Sequence, residues 1–175
     1  MKNIELHKPN LNELWFRQEC ISDPKTMKYN AGYDVSYEGY NRDTGCIDFP
    51  KEKWNDWIKN KLNNPNFFYA YILDNDLNQF VGYVNFNKDV KTQKATMGIV
   101  IKNDYQGEGY MRPAMNKLIE KAKEYGVVSL TDAVPENRIN ALKVFYDLGF
   151  VKVDEFKTKK FESEEIVAII EKEIK

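Results

Sequence analysis

Histidine is nearly absent: the 175-residue chain has one, His7. A Ser-His-Asp or Cys-His nucleophile needs a buried, oriented imidazole, and a lone His beside the N-terminus is a poor source of one. Cysteine is almost as scarce. Cys20 and Cys46 stand apart, outside any Cys-x-x-Cys spacing, so no zinc ligand set exists and no metal is expected. Two separated cysteines fit reduced thiols and a cytoplasmic chain. Cys46 reads either as a reactive thiol or as a small buried apolar residue. Arginine is limited to Arg17, Arg42, Arg112 and Arg138, so planar phosphate forks are few and each one matters. The formal net charge of −1 leaves no concentrated basic surface, which argues against nucleic acid as a partner. No uncharged apolar run approaches about 18 residues, so no membrane span is expected. The start, Met1 to Leu6, lacks the apolar stretch of a signal peptide.

What the chain does have is aromatics. Phe 10, Tyr 11 and Trp 3 are too many for a disordered polymer, and the length suits one packed domain. Ile4 to Leu6 reads as a strand, and Asn10 to Glu19 as a helix with Leu11, Leu14, Trp15 and Gln18 on one face. Residues 21–50 carry turn signals interleaved with Tyr29, Tyr33, Tyr37 and Tyr40, either a binding lid or a packed loop. Pro50 opens a helix through Trp54, Trp57, Ile58 and Leu62. All three tryptophans lie on helix faces and read as core. Phe67 to Leu73, Phe80 to Phe86 and Thr96 to Ile101 read as strands whose short turns imply antiparallel pairing. A helix from about Gly109 to Tyr125 buries Ala114, Met115, Leu118, Ile119 and Ala122, with Gly126 past its end. Val127 to Val134 is a strand. Asn137 to Leu148 is a helix with Asn137 as its candidate N-cap, and Phe150 to Phe156 is a strand. Lys157 to Lys160 reads as a solvated strand end. The tail from Glu164 to Ile174 fits a helix by its Ile166, Ile170 and Ile174 spacing and a strand by its β-branched run. The order is that of an α/β (α+β mixed) domain with a mixed, mostly antiparallel central sheet.

The chemistry concentrates in Met97 to Arg112. A β-branched strand runs into a turn with Gly107 and Gly109, and an amphipathic helix starts at once. Glycines there let N–H groups turn outward, and the helix end adds roughly half a positive charge, which suits phosphate. The stretch lacks the Gly-Lys-Ser/Thr of a P-loop and the third glycine of a dinucleotide fingerprint, where Arg112 stands.

Gln106-Gly107-Glu108-Gly109-Tyr110-Met111 resembles the acetyl-CoA loop of the GNAT-type N-acetyltransferases, Arg/Gln-x-x-Gly-x-Gly/Ala. Val134-Pro-Glu-Asn137, leading into Ala141 to Phe150 with its Leu-Gly-Phe ending, is similar to a second motif of that family, in the right order. The likeness spans Phe67 to Phe156 well and residues 1–66 by element order alone. It implies one domain over 1–175, with a sheet splayed between its fourth and fifth strands, the tail as a last strand, a CoA-binding core in 67–175, and an acceptor side in 1–66. It further implies acetyl transfer from acetyl-CoA to a primary amine by direct attack. Ile99, Val100 and Ile101 would hold the pantetheine arm in the gap. Gln106, Gly107, Glu108, Gly109, Tyr110, Met111 and Arg112 would cradle the pyrophosphate, and Asn137 would reach the arm. The large Met111 side chain must then point away from the phosphates.

Other places depart from the family pattern. Phe145 stands where many members have a proton-donating Tyr. Tyr146 adjoins it, turned about 100° around the helix. Thr96 stands where a strand-four carboxylate is common. Asp132 is the candidate base, with an outward, solvated aspartate as the alternative. Tyr29 and Tyr33, with Asp34, Glu38 and Asp43 nearby, are the candidate acceptor surface, suited to a cationic amine. A longer acyl donor, a catalytically silent CoA-binding module and a partner-binding domain using 21–50 are the rival readings. The expected assembly is a monomer or homodimer.

Overall fold

Seven strands form one sheet in the order β1-β2-β3-β4-β5-β7-β6 in the computed structural model, which describes residues 1–175. The strands are β1 (Ile4–His7), β2 (Phe67–Asp74), β3 (Gln79–Lys88), β4 (Lys94–Ile101), β5 (Ser129–Pro135), β6 (Val151–Lys160) and β7 (Ser163–Glu173). Every neighbouring pair is antiparallel except β4 and β5, which run parallel. That pair is joined only at Lys94, Ala95 and Thr96 opposite Ser129, Leu130 and Thr131. Beyond it the two strands part. β4 stays paired to β3 as far as Ile101, and β5 stays paired to β7 as far as Pro135. Each strand is held by its outer neighbour, so the fork exposes two inner edges whose N–H and C=O groups need partners. The mixed, splayed sheet expected from the sequence is present, and the tail is a strand.

The sheet is covered on both faces. α3 (Met111–Glu124) and α4 (Ile139–Asp147) bury Ala114, Met115, Leu118, Leu142 and Phe145 against Ile72, Val84, Met97, Leu130 and Ile170. Their stripes follow the helical period of the sequence. Gly126, at φ 68°, ends α3 as a left-handed C-terminal residue. The opposite face packs α1 (Leu14–Ser22) and α2 (Trp54–Trp57) over Tyr69, Tyr71, Tyr83 and Val100. This smaller core is mostly aromatic, and strand alternation separates it from the larger one: Tyr69 and Tyr71 point one way, Phe68, Ala70 and Ile72 the other.

Some local expectations are corrected. The first helical segment starts with a 3₁₀ turn at Leu11–Glu13 capped by Asn10, and α1 then runs on to Ser22. The change of winding rotates the buried face. Leu14, Phe16, Cys20 and Ile21 go inward, while Trp15 stays 49% exposed. Trp54 is buried as expected. After Pro50 the chain passes from a 3₁₀ turn through α2 into a π-helical turn, Ile58–Leu62. Asn137 does not cap α4. Arg138 occupies the N-cap position without a side-chain cap, and the Asn137 amide donates to Glu165 instead. Residues 157–160 form the end of β6, largely solvated as read.

Candidate active site

Asp132 is the first β5 residue past the last β4–β5 pair, at the point where the fork opens. Its side chain is part-buried there. Burial raises its carboxyl to about 7, against the opposing pull of the Ala133 N–H, 2.8 Å away, and of the Arg138 charge. Arg138 lies over the Tyr29 ring, 5.3 Å from its centroid. Burial pushes the Tyr29 phenol up to about 12, with Arg138 opposing and Asp132 adding to the shift. A carboxyl that gains and loses a proton near neutrality, beside a cation and a part-buried ring, suits proton transfer.

The other end of the fork is the loop after β4. Gly107 and Gly109 have φ of 77° and 89°, and a Cβ at either would meet nothing within 4 Å. They serve the backbone path, leaving open space above it. None of the N–H groups from Gly107 to Arg112 donates to a backbone carbonyl, so the start of α3 presents a run of free donors. Met111 packs against the larger core, away from the loop mouth, as its size requires. Tyr110 is buried, and its hydroxyl donates to Asp74 at 2.6 Å, so this residue offers the loop its backbone alone. The Gln106 amide donates to the Ile101 carbonyl at 2.9 Å and steadies the end of β4.

Ile99 and Ile101 lean on the larger core, whereas the Val100 side chain belongs to the acceptor-side core. Arg112 is not free: its Nη2 lies 2.8 Å from Asp147 Oδ2. Lys2, unmarked in the sequence, is the cation that borders the loop, 3.7 Å from Glu108 and 4.6 Å from the Tyr110 ring centroid. Tyr146 is 44% exposed on α4, while Phe145 is buried against Phe150. No hydrogen bond ties Tyr146 to Asp132.

The Tyr-rich segment is anchored rather than loose. It contains a 3₁₀ helix, Thr26–Asn30, and a Tyr40–Ile47 bridge. Tyr33 donates to Glu165 of β7, the carboxylate that also accepts from Asn137 at 3.3 Å. Burial first, then Glu165, holds the Tyr33 phenol up. Asn137, Glu165 and Phe161 line one cleft of about 460 Å³. Another, of about 510 Å³, sits at the closed end of the fork beside Thr96 and Thr131 and takes no part in this site. Two of the three acids expected to attract a cation already have counter-ions: Asp34 holds Arg42 and Glu38 holds Lys53, each at 2.8 Å. Glu165, Lys2 and Arg138 border the site without any pattern in the sequence assigning them to it. Only the rarity of arginine pointed to Arg138.

A parallel pair opening into a fork, with a glycine turn and a helix start at its mouth, defines an acyltransferase-type site. The chain belongs to the acetyltransferase (GNAT) family, whose model matches residues 33–150. It is therefore an acetyltransferase. Among solved structures it is similar to the spermidine N-acetyltransferase of Vibrio cholerae in complex with CoA and spermine, at 13% identity and TM-score 0.77, covering 98% of this chain and 95% of that one. An N-acetyltransferase of Staphylococcus aureus Mu50 matches at 14% identity and TM-score 0.75, covering 99% of each chain. The yncA protein of Salmonella typhimurium, solved with its cofactor acetyl-CoA, matches at 13% identity and TM-score 0.76, covering 98% and 94%. Likeness at such identity speaks for the fold. No curated protein matches in sequence.

Proposed function

We propose that the protein transfers an acetyl group from acetyl-CoA to a primary amine by direct attack within a ternary complex. The observation that carries this is Asp132, a carboxyl poised at about 7 where the β4–β5 fork opens. The residues fit the donor. The free N–H groups of 107–112 suit a pyrophosphate, and the β4 edge around Ile99, which has no strand partner beyond Thr96, suits an extended amide arm. Residues 67–175 supply most of this half, and residues 1–66 supply most of the acceptor half.

Bound acetyl-CoA supplies an activated thioester. The open edge of β4 would hold it, and the N–H groups of that edge would supply hydrogen-bond donors to the carbonyl oxygen as charge builds there. Asp132, as carboxylate, takes the proton that the amine nitrogen loses as its bond to the acetyl carbon forms, and the carbon–sulfur bond breaks. Phe145 is too apolar to serve as proton donor, so the thiolate takes its proton from Tyr146, exposed on α4, or from solvent. Thiol release from acetyl-CoA with a panel of amines tests this reading. Activity with at least one amine, reduced on the order of 10²–10⁴-fold by Asp132→Asn, is expected. CoA binding with no acetylation of any amine would favour a silent CoA-binding module instead.

A further inference from the structure

Arg17 sits in α1 with its guanidinium against three aromatic rings. Its carbon lies 4.9 Å from the Phe49 centroid, 4.6 Å from Trp57 and 5.5 Å from Tyr69. Ring faces stabilise the charge, but they do not satisfy the in-plane N–H groups. The Arg17 Nε and the Tyr69 Oη beside it are both buried, and neither makes a well-formed hydrogen bond, the two groups lying only loosely together. Every acid of α1 and its entry turn is committed elsewhere: Glu13 to His7 and Glu19 to Lys102. The root of the side chain is fixed, because the Arg17 N–H donates to Tyr71 Oη, which in turn donates to the Glu13 carbonyl. The guanidinium is buried, while the residue as a whole keeps some exposed surface.

A planar cation with its faces covered and its edge unmet calls for a planar anion in the same plane. Leaving such a group buried and unpaired is costly, which makes a missing counter-ion informative. Tyr29 connects this cage with the reacting end. It lies within electrostatic range of both Arg17 and Asp132.

We propose that Arg17, with Tyr69, reads a carboxylate on the acceptor, so that the substrate class is an amine bearing a carboxylate, such as an amino acid, rather than a polyamine. This rests on the acetyl-transfer reading above. A polycation would meet a buried positive charge at the back of the acceptor side, and two of the nearby acids are already neutralised by Arg42 and Lys53.

The test compares matched amines with and without a carboxylate: phenylalanine against phenethylamine, lysine against cadaverine, with spermidine as a third arm. Both kcat/KM and binding to the CoA-loaded protein by calorimetry are measured. The expected result is at least a tenfold preference for one carboxylate-bearing member over its partner in both readouts. Arg17→Gln should abolish that preference, and Arg17→Lys should retain part of it. Tyr69→Phe, which keeps the ring and removes only the hydroxyl, should weaken the preference in a folded protein, with CoA affinity unchanged. Acetylation of spermidine or the plain amines as efficient as that of the acids would overturn the inference while leaving acetyl transfer intact. So would Tyr69→Phe and Arg17→Lys proteins that keep the full preference. Failure to bind CoA would remove the acetyl-transfer reading, and this inference with it.

Discussion

The Arg138 guanidinium stacks on Tyr29, 5.3 Å from the ring centroid, and so joins the N-cap of α4 to the Tyr-rich segment. The contact links the two halves of the chain beside Asp132. It also bears on the acid–base chemistry there, because Arg138, after the Ala133 N–H, works against burial at that carboxyl.

A pH prediction follows from that sign. Asp132 must be ionised to accept a proton, so kcat/KM should rise with pH through a midpoint near its value of about 7. Removing the cation with Arg138→Ala removes a lowering influence, and the midpoint should move upward. A profile of kcat/KM between pH 5 and 9 on both proteins checks this. A midpoint unchanged or lowered in the variant would contradict the assigned coupling.

Asp132→Asn should also change stability in a pH-dependent way. The folded value of about 7 lies above the ordinary aspartate value near ~3.9. Stability from the protonated form is full below the unfolded value and is lost as pH rises through the folded one. The Asn variant should therefore match the native protein near pH 4 and exceed it at pH 8, by on the order of a few kcal/mol. Urea unfolding at the two pH values measures the difference.

At the loop, Gly107→Pro removes an N–H and forces φ away from 77°. Because a Cβ there meets nothing, the fold should survive. CoA affinity should fall at least tenfold by calorimetry with little change in melting temperature.

Arg112 invites a different test. Its partner Asp147 lies at the C-terminal end of α4, so Asp147→Asn frees a cation next to the free N–H groups. CoA should bind several-fold tighter in the variant, and the gain should shrink with added salt. Arg112→Ala should cost little in the native background, since an exposed pair contributes roughly 0–1 kcal/mol.

The legible parts of the sequence were those with a strong local period or a turn that only glycine makes easily. Ala114, Met115 and Leu118 mark the α3 stripe. Gly107 and Gly109 sit at the positive φ values that the motif implies. The last strand was ambiguous because Ile166, Ile170 and Ile174 fit both periods, and only pairing with β5 and β6 decides between them. The fate of Asp132 and Asn137 was illegible for a related reason. Burial at the fork and the approach of Glu165 from β7 are tertiary facts, and no local pattern encodes them. Trp15 misled because a short 3₁₀ turn shifted the phase of α1.

Gly32 has φ 89°, and a Cβ placed on it would come within 2.6 Å of the Phe161 ring at the β6–β7 turn. The Phe161 N–H donates to the Gly32 carbonyl at 2.6 Å, and Tyr33 next door donates to Glu165. This contact, with those of Arg42 to the Phe161 carbonyl and Lys160 to the Tyr29 carbonyl, keeps the Tyr-rich segment against the hairpin. Gly32→Ala adds left-handed strain on the order of 1–2 kcal/mol and pushes the ring away. Tyr33→Phe removes the single hydroxyl donor and adds no bulk. Neither residue touches the 107–112 loop, so both variants should raise the acceptor KM several-fold and leave CoA affinity nearly unchanged. Amide exchange should quicken in residues 29–48, more in Gly32→Ala than in Tyr33→Phe, with α3 as protected as before. Equal loss of CoA and acceptor binding would mean that the two halves are not separable in this way.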